Sequence, residues 1–296
     1  MLKLMFVIMK TVLVLTDFSK NALIAAETAA ILAGKLHANL LLFHTDYSVP
    51  VNPFYPGIFQ EADSNSWKLH CEAEMDKVKD HLRRFLSLIK TDQRKPTVSS
   101  TIAEGDLASH VADLEKSKNI EMIAMGAASG SKIDHVLLGS DTASVIEAAR
   151  CPVLVVPATG SMTALDRVIF ATNYSKSDIF AIEYLVELGK LFEYQLEVVH
   201  VSLYGSKDVD DNNEVMGFVK KLSEDIYPRV LFQHIKGKHL SHRLAQFYKE
   251  READLLSMTH QPHSLLSRMI KEGTVRKSLA AQEFPMLIFP PGMNKP

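Results

Sequence analysis

TDFSKNALIAAETAA, Thr16 to Ala30, follows the branched aliphatic run TVLVL and opens an amphipathic helix. The chain repeats the phrase at TNYSKSDIFAIEYLV, Thr172 to Val186, after VIFA. Thr, Ser and Lys recur at the same spacing, with an aromatic residue between them. One position changes its chemistry: Asp17 becomes Asn173. Two strand–turn–helix units, one with a carboxylate at the turn and one without, raise the question of what the second copy is for.

The repeat extends in both directions. Asp17 and Asn173 are 156 positions apart, and so are His44, closing LLLFH, and His200, closing LEVVH. Ser109-His110 then matches Ser241-His242 at an offset of 132, Gly139-Ser140 matches Gly273-Thr274 at 134, and CPVLVVP matches FPMLIFP at 133. The missing residues fall where the first half carries TDYSVPVNPFYPGIFQEADSNSW, which reads as an inserted loop at about 45–67. Long irregular loops in compact domains tend to be functional or mobile. One domain is therefore duplicated: 1–157, a short linker 158–166, and 167–296.

Within each half, short apolar runs alternate with helical segments. In the first half the strands are TVLVLT, ANLLLFH, TVSSTIA, IEMIAM and PVLVVP. The helices run from Ser19 to Leu36, Ser64 to Ile89, Leu107 to Lys116 and Ser140 to Ala149. Continuous apolar strands suit a sheet covered on both faces. The alternation predicts two doubly wound, five-stranded parallel sheets of Rossmann-like α/β type. Ligands in such sheets sit beyond the carboxyl ends of the strands, where strand order reverses.

Bulk properties narrow the function. The chain has 296 residues, 47% hydrophobic and 23% charged, with net charge −2. That balance gives no electrostatic basis for broad nucleic-acid binding. Two cysteines, Cys71 and Cys151, are too few for a disulfide framework and favour a cytoplasmic location. No apolar run approaches the roughly 20 residues of a membrane helix. MLKLMFVIMK does not read as a signal peptide, because Lys10 interrupts a short apolar stretch that has no small-residue cleavage site.

The loop MGAASGSKIDHVLLGSDTASVI carries the most chemistry. Gly126 sits at its turn, and Gly139-Ser140 opens the last helix of the half. Glycine admits close backbone approach, and free N–H groups at a helix start attract phosphate. Asp141 in the first helical turn suits the helix dipole yet opposes a phosphate there, and Lys132 offsets it. A turn plus an ordinary helix cap is the bland reading of the same residues.

With the early Asp17, the residue Thr45 after the second strand, and the closing CPVLVVP, this arrangement resembles the universal stress protein family over nearly the whole chain, twice. ATP-binding members of that family share G-x2-G-x9-G-[ST]. Gly126 takes its first position, Gly139-Ser140 its last two, and Ser129, followed by Gly130, stands where the motif has glycine. The resemblance implies a stress-response regulator or sensor binding ATP or a related adenine nucleotide, with Mg²⁺ beside the phosphates. The site would be Asp17, Thr45, Met125, Gly126, Ser129, Gly130, Gly139 and Ser140. It also implies pairing of the two halves through Val153–Val156 and Met286–Phe289, as a dimer within one chain. No catalytic residue is expected, and turnover would be slow at most.

In the second half Met258 is read in the first glycine position and Gln261 in the second, and only Gly273-Thr274 survives. That half is expected to keep the fold and lose the ligand. An alternative is a nucleotide-free module that recruits a protein partner. An enzyme on the same fold would need a pyrophosphate-binding signature. His234, His239, His242, His260 and His263 form a dense set that raises a metal site, against solvated helix-start and loop histidines as the ordinary case.

Overall fold

The computed structural model describes residues 10–46, 61–89, 94–127, 140–159, 162, 164–205, 217–222, 230–260 and 284–293. The first half contains β1 (Thr11–Leu15), α1 (Lys20–Lys35), β2 (Asn39–Asp46), α2 (Glu61–Leu88), β3 (Val98–Glu104), α3 (Leu107–Ser117), β4 (Ile120–Gly126), α4 (Ser140–Ala148) and β5 (Val153–Val156). The second contains β6 (Arg167–Ala171), α5 (Lys176–Phe192), β7 (Gln195–Leu203), β8 (Val230–Gly237), α6 (Leu240–Glu250), β9 (Leu255–Thr259) and β10 (Met286–Phe289). The predicted first-half elements coincide with these to within a few residues. β2 runs through Asp46 and α2 begins at Glu61, and the part of the expected inserted segment 45–67 between them lies outside the described residues.

The ten strands form one sheet in the order β3-β2-β1-β4-β5-β10-β9-β6-β7-β8. Each half is a parallel sheet whose order reverses at its first strand. The halves join at one antiparallel contact, with Met286 opposite Val155, Leu287 opposite Leu154 and Ile288 opposite Val153. Two edges that would otherwise expose unpaired backbone groups thus cover each other. All eight strand residues of this contact are buried.

Helices cover both faces, which is why the central strands are apolar throughout. On one face α1, α2 and α5 pack over Val12, Val14, Leu154, Phe170 and Leu287. On the other, α3, α4 and α6 pack over Leu13, Ile123, Val153, Ile169 and Ile288. The outer strands β3 and β8 instead alternate in exposure, as half-covered edges do. Among the described residues, no helix is long and apolar enough to cross a membrane.

The strand register fixes how the halves correspond. Leu15 lies beside Met125, and Ala171 lies beside Met258. Gly126 pairs with Val156, and Thr259 with Phe289. Thr259, not Met258, therefore stands in the place of Gly126, which corrects the reading from sequence. The helix match is corrected too. The core-facing residues Leu107, Val111 and Leu114 correspond to Leu240, Leu244 and Phe247, at an offset of 133 rather than 132. The extra residue lies in the turn before α6.

Candidate functional site

The turn after the first strand shares one set of threonine, aromatic and histidine contacts in both halves. Thr16 Oγ accepts the Phe18 N–H at 3.0 Å, and Thr172 Oγ accepts the Tyr174 N–H at 2.9 Å. Both aromatics have left-handed backbone, with φ of 63° and 61°. That conformation costs a non-glycine residue about 1–2 kcal/mol. Each ring lies on a histidine, Phe18 on His44 at 4.4 Å and Tyr174 on His200 at 4.6 Å between centroids. Each histidine donates from Nδ1 to the threonine carbonyl, at 2.7 and 2.9 Å. The carbonyl can only accept, so it fixes the Nδ1–H form of both rings. The recurrence of Thr, aromatic and His at one spacing is thus structural in origin.

In the first half this turn places Asp17 at the carboxyl edge of the sheet, exposed, with Oδ1 accepting the Ser19 N–H at 2.9 Å. Ser19 caps α1 by accepting from the Ala22 N–H. Thr45 lies within β2, one residue further along than the sequence placed the strand end, and its backbone is level with the turn. Met125 is buried beside Leu15, and Gly126 follows it. Asp17, Thr45, Met125 and Gly126 are therefore gathered at the point where strand order reverses. Ser140 opens α4, with Asp141 in its first turn. Ser129, Gly130 and Gly139 lie outside the described residues.

Gly126 has a packing role of its own. A Cβ at that position would come within 2.7 Å of the Ala22 nitrogen and 2.9 Å of the Asn21 carbonyl oxygen. The glycine lets the start of α1 sit directly on the end of β4. The Asn21 side chain fastens the same junction by donating to the Ala127 carbonyl at 2.9 Å.

The second half treats this junction differently. Asp178, in the position of Ala22, is 1% exposed and accepts four hydrogen bonds. They come from the Thr172 hydroxyl at 2.7 Å, the Asn173 and Ser175 N–H groups at 3.2 Å each, and the Thr259 hydroxyl at 2.7 Å. Sequence reasoning followed the loss of Asp17 at Asn173 and missed this second carboxylate. The signal was available: at the offset of 156, an alanine on the buried face of α1 becomes an aspartate. A cavity of about 260 Å³ lies beside Thr259, walled by Phe180, Ala181, Phe289, Pro290 and Met293, with Lys176 and Ser177 on its polar side.

The remaining candidates are dispersed. His234 bonds Ser202 at 2.7 Å and lies beside His200. His239 and His242 are exposed at the start of α6, His260 follows β9, and His263 lies outside the described residues. Among the described residues, no three His, Cys, Asp or Glu side chains are grouped to hold a metal ion. Cys151 is buried, and burial with the nearby Glu115 carboxylate pushes its thiol far above the usual range, which disfavours the reactive thiolate.

Comparison with known proteins agrees with this geometry. The model of the universal stress protein family matches residues 9–157. A universal stress protein of Methanocaldococcus jannaschii, MJ0531, is 29% identical over 147 residues, which cover 50% of this chain and 81% of that protein. The crystal structure of a universal stress protein from Archaeoglobus fulgidus superposes with a TM-score of 0.67 at 19% identity, covering 94% of this chain and 95% of the other. A putative universal stress protein from Pseudomonas aeruginosa superposes at 0.55 with 14% identity, covering 96% and 94%. The structural likenesses show the fold over both halves, and the family match rests on the first half. The chain belongs to the universal stress protein family.

Proposed function

We propose that the chain is a stress-response regulator or sensor that holds one adenine nucleotide, ATP or a close relative, in its first half. The carrying observation is the convergence of Asp17, Thr45, Met125 and Gly126 at the strand-order reversal of that half. Asp17 is exposed there as an acceptor for sugar hydroxyls, and the Thr45 backbone is level with it for a base. The start of α4 at Ser140 supplies the N–H groups that favour phosphate. Ser129, Gly130 and Gly139 would complete the loop. If the ligand is a triphosphate, Mg²⁺ would neutralise part of its charge. The role is binding rather than turnover, and it belongs in the cytoplasm, where the two buried cysteine thiols would stay reduced.

The test is mass spectrometry of small molecules released on denaturing freshly purified protein, followed by calorimetry with ATP. One adenine nucleotide per chain is expected. Two equivalent sites would overturn the assignment to the first half. No nucleotide at all would favour the second reading, a protein-interaction module of the same fold. The buried Asp178 in the second half is the observation that favours it.

A further inference from the structure

We infer that Asp178 closes the turn between β6 and α5 to anionic ligands, because its carboxylate acts as the resident ligand of that strand-end turn. In the first half Asp17 reaches the turn from outside and leaves the interior to Ala22 and Gly126. In the second half both interior positions change together, to Asp178 and Thr259. A side chain in the Gly126 position would strike the start of α1 as the first half places it. In the second half the side chain at that position, Thr259, meets the helix start through its hydroxyl, which donates to Asp178 at 2.7 Å.

Ordinary helix capping does not account for this site. A cap needs only the Ser175 N–H, whereas Asp178 also collects hydroxyls from the ends of two strands, Thr172 after β6 and Thr259 on β9. It takes the Asn173 N–H as well, in the turn where the first half carries Asp17. An anion approaching this turn would find these donors already engaged by a fixed carboxylate. Hydrogen bonds from hydroxyls and backbone N–H groups to a carboxylate are among the stronger ones in proteins, so the resident group is not readily displaced. The carboxylate absent at Asn173 has thus moved inside, five residues along the chain, and become part of the fold.

The consequence for stoichiometry rests on the nucleotide assignment above, but the closure is tested without nucleotide. In the full chain, Asp178→Ala leaves four donors around a carboxylate-sized gap, and sodium formate is the probe. Thermal unfolding is followed in formate and in sodium chloride at equal ionic strength. The alanine variant should melt below wild type and be stabilised by formate over chloride. At about ten times its dissociation constant, formate would raise the folded-to-unfolded ratio about elevenfold. The two salts should act alike on wild type. Equal effects of the two salts on a folded Asp178→Ala would overturn the inference. Asp178→Asn preserves the shape and serves where the alanine variant does not fold. A midpoint below wild type supports the carboxylate as ligand, and a midpoint equal to wild type overturns it. A wild type that releases no nucleotide would refute the proposed function and leave the formate result standing.

Discussion

Replacing Val155 tests how the two halves hold together. Val155 is fully buried and lies opposite Met286 at the β5–β10 contact. Val155→Ala removes two methyl-sized groups, a transfer loss of about 1.6 kcal/mol at about 0.8 kcal/mol each. The space left behind raises the total to roughly 2–3 kcal/mol. Val155→Lys is harsher, because an unpaired ammonium in the interior costs several kcal/mol even after relaxation. Against a typical stability of about 5–15 kcal/mol, that is a large fraction. The control is Leu231→Lys on the outer strand β8, where the leucine is 48% exposed. A surface change of this kind should stay within about 0.5 kcal/mol. Urea denaturation of all three variants measures the differences, and sedimentation reports whether the opened edge recruits a second chain. If Val155→Lys unfolds at the same urea concentration as Leu231→Lys, the contact is not a buried seam.

Gly126→Ala should destabilise the chain by about 1–3 kcal/mol, since the added methyl meets the α1 backbone at 2.7 Å. A thermal midpoint unchanged from wild type would show that the helix start yields freely. Ser129 stands where the motif of the ATP-binding family members has glycine, so Ser129→Gly should tighten ATP binding by up to roughly tenfold, as read by calorimetry. Equal or weaker affinity would mean that the neighbouring Gly130 already provides the turn. His260 contributes to acid sensitivity: burial lowers its pKa below the usual 6.5, with Glu147 acting in the opposite direction. The folded state then binds fewer protons than the unfolded state as pH falls below 6.5, so stability present above that pH is lost on acidification. Urea midpoints at about pH 7.5 and about pH 5.5 should differ less in His260→Asn than in wild type, and equal differences would remove His260 from the account.

The architecture was legible in the sequence because burial writes itself into apolar runs. TVLVL, IEMIAM and PVLVV are strands covered on both faces, and no competing periodicity obscures them. The pairing of Val153–Val156 with Met286–Phe289 came from the family resemblance rather than from the strands themselves, and the β5–β10 contact bears it out. What misled was matching by identity. Ser109-His110 and Ser241-His242 look alike, but they are not equivalent positions: Ser109 is exposed, whereas Ser241 is buried at 1% exposure. The register is carried by Leu107, Val111 and Leu114 against Leu240, Leu244 and Phe247, which touch the core. The same trap placed Met258 on Gly126, whereas hydrogen bonding to the neighbouring strands places Thr259 there. Asp178 was hidden because it looks like a routine first-turn acid. Only the fold shows that strands β6 and β9 aim hydroxyls at it.

The duplicated contacts fall into two kinds, and the difference explains what duplication released. Thr16, Phe18 and His44 persist as Thr172, Tyr174 and His200, because each satisfies another: a hydroxyl for an N–H, a carbonyl for an imidazole, a ring for a ring. Other contacts were rewritten, and in pairs. Ala22 with Gly126 became Asp178 with Thr259. Glu115, which accepts the Arg150 and Cys151 N–H groups at 2.9 and 3.0 Å, has its counterpart in Tyr248, and Cys151 in Phe284, whose rings stack at 4.4 Å. Asp178 without the Thr259 hydroxyl would lose one of its two buried hydroxyl donors, at a cost of about 1–3 kcal/mol. The backbone frame stays in place in both halves. A half tethered to its partner through β5 and β10 needs only that frame to cover the shared edge. In that half the carboxylate at the turn is the buried Asp178, whereas in the first it is the exposed Asp17.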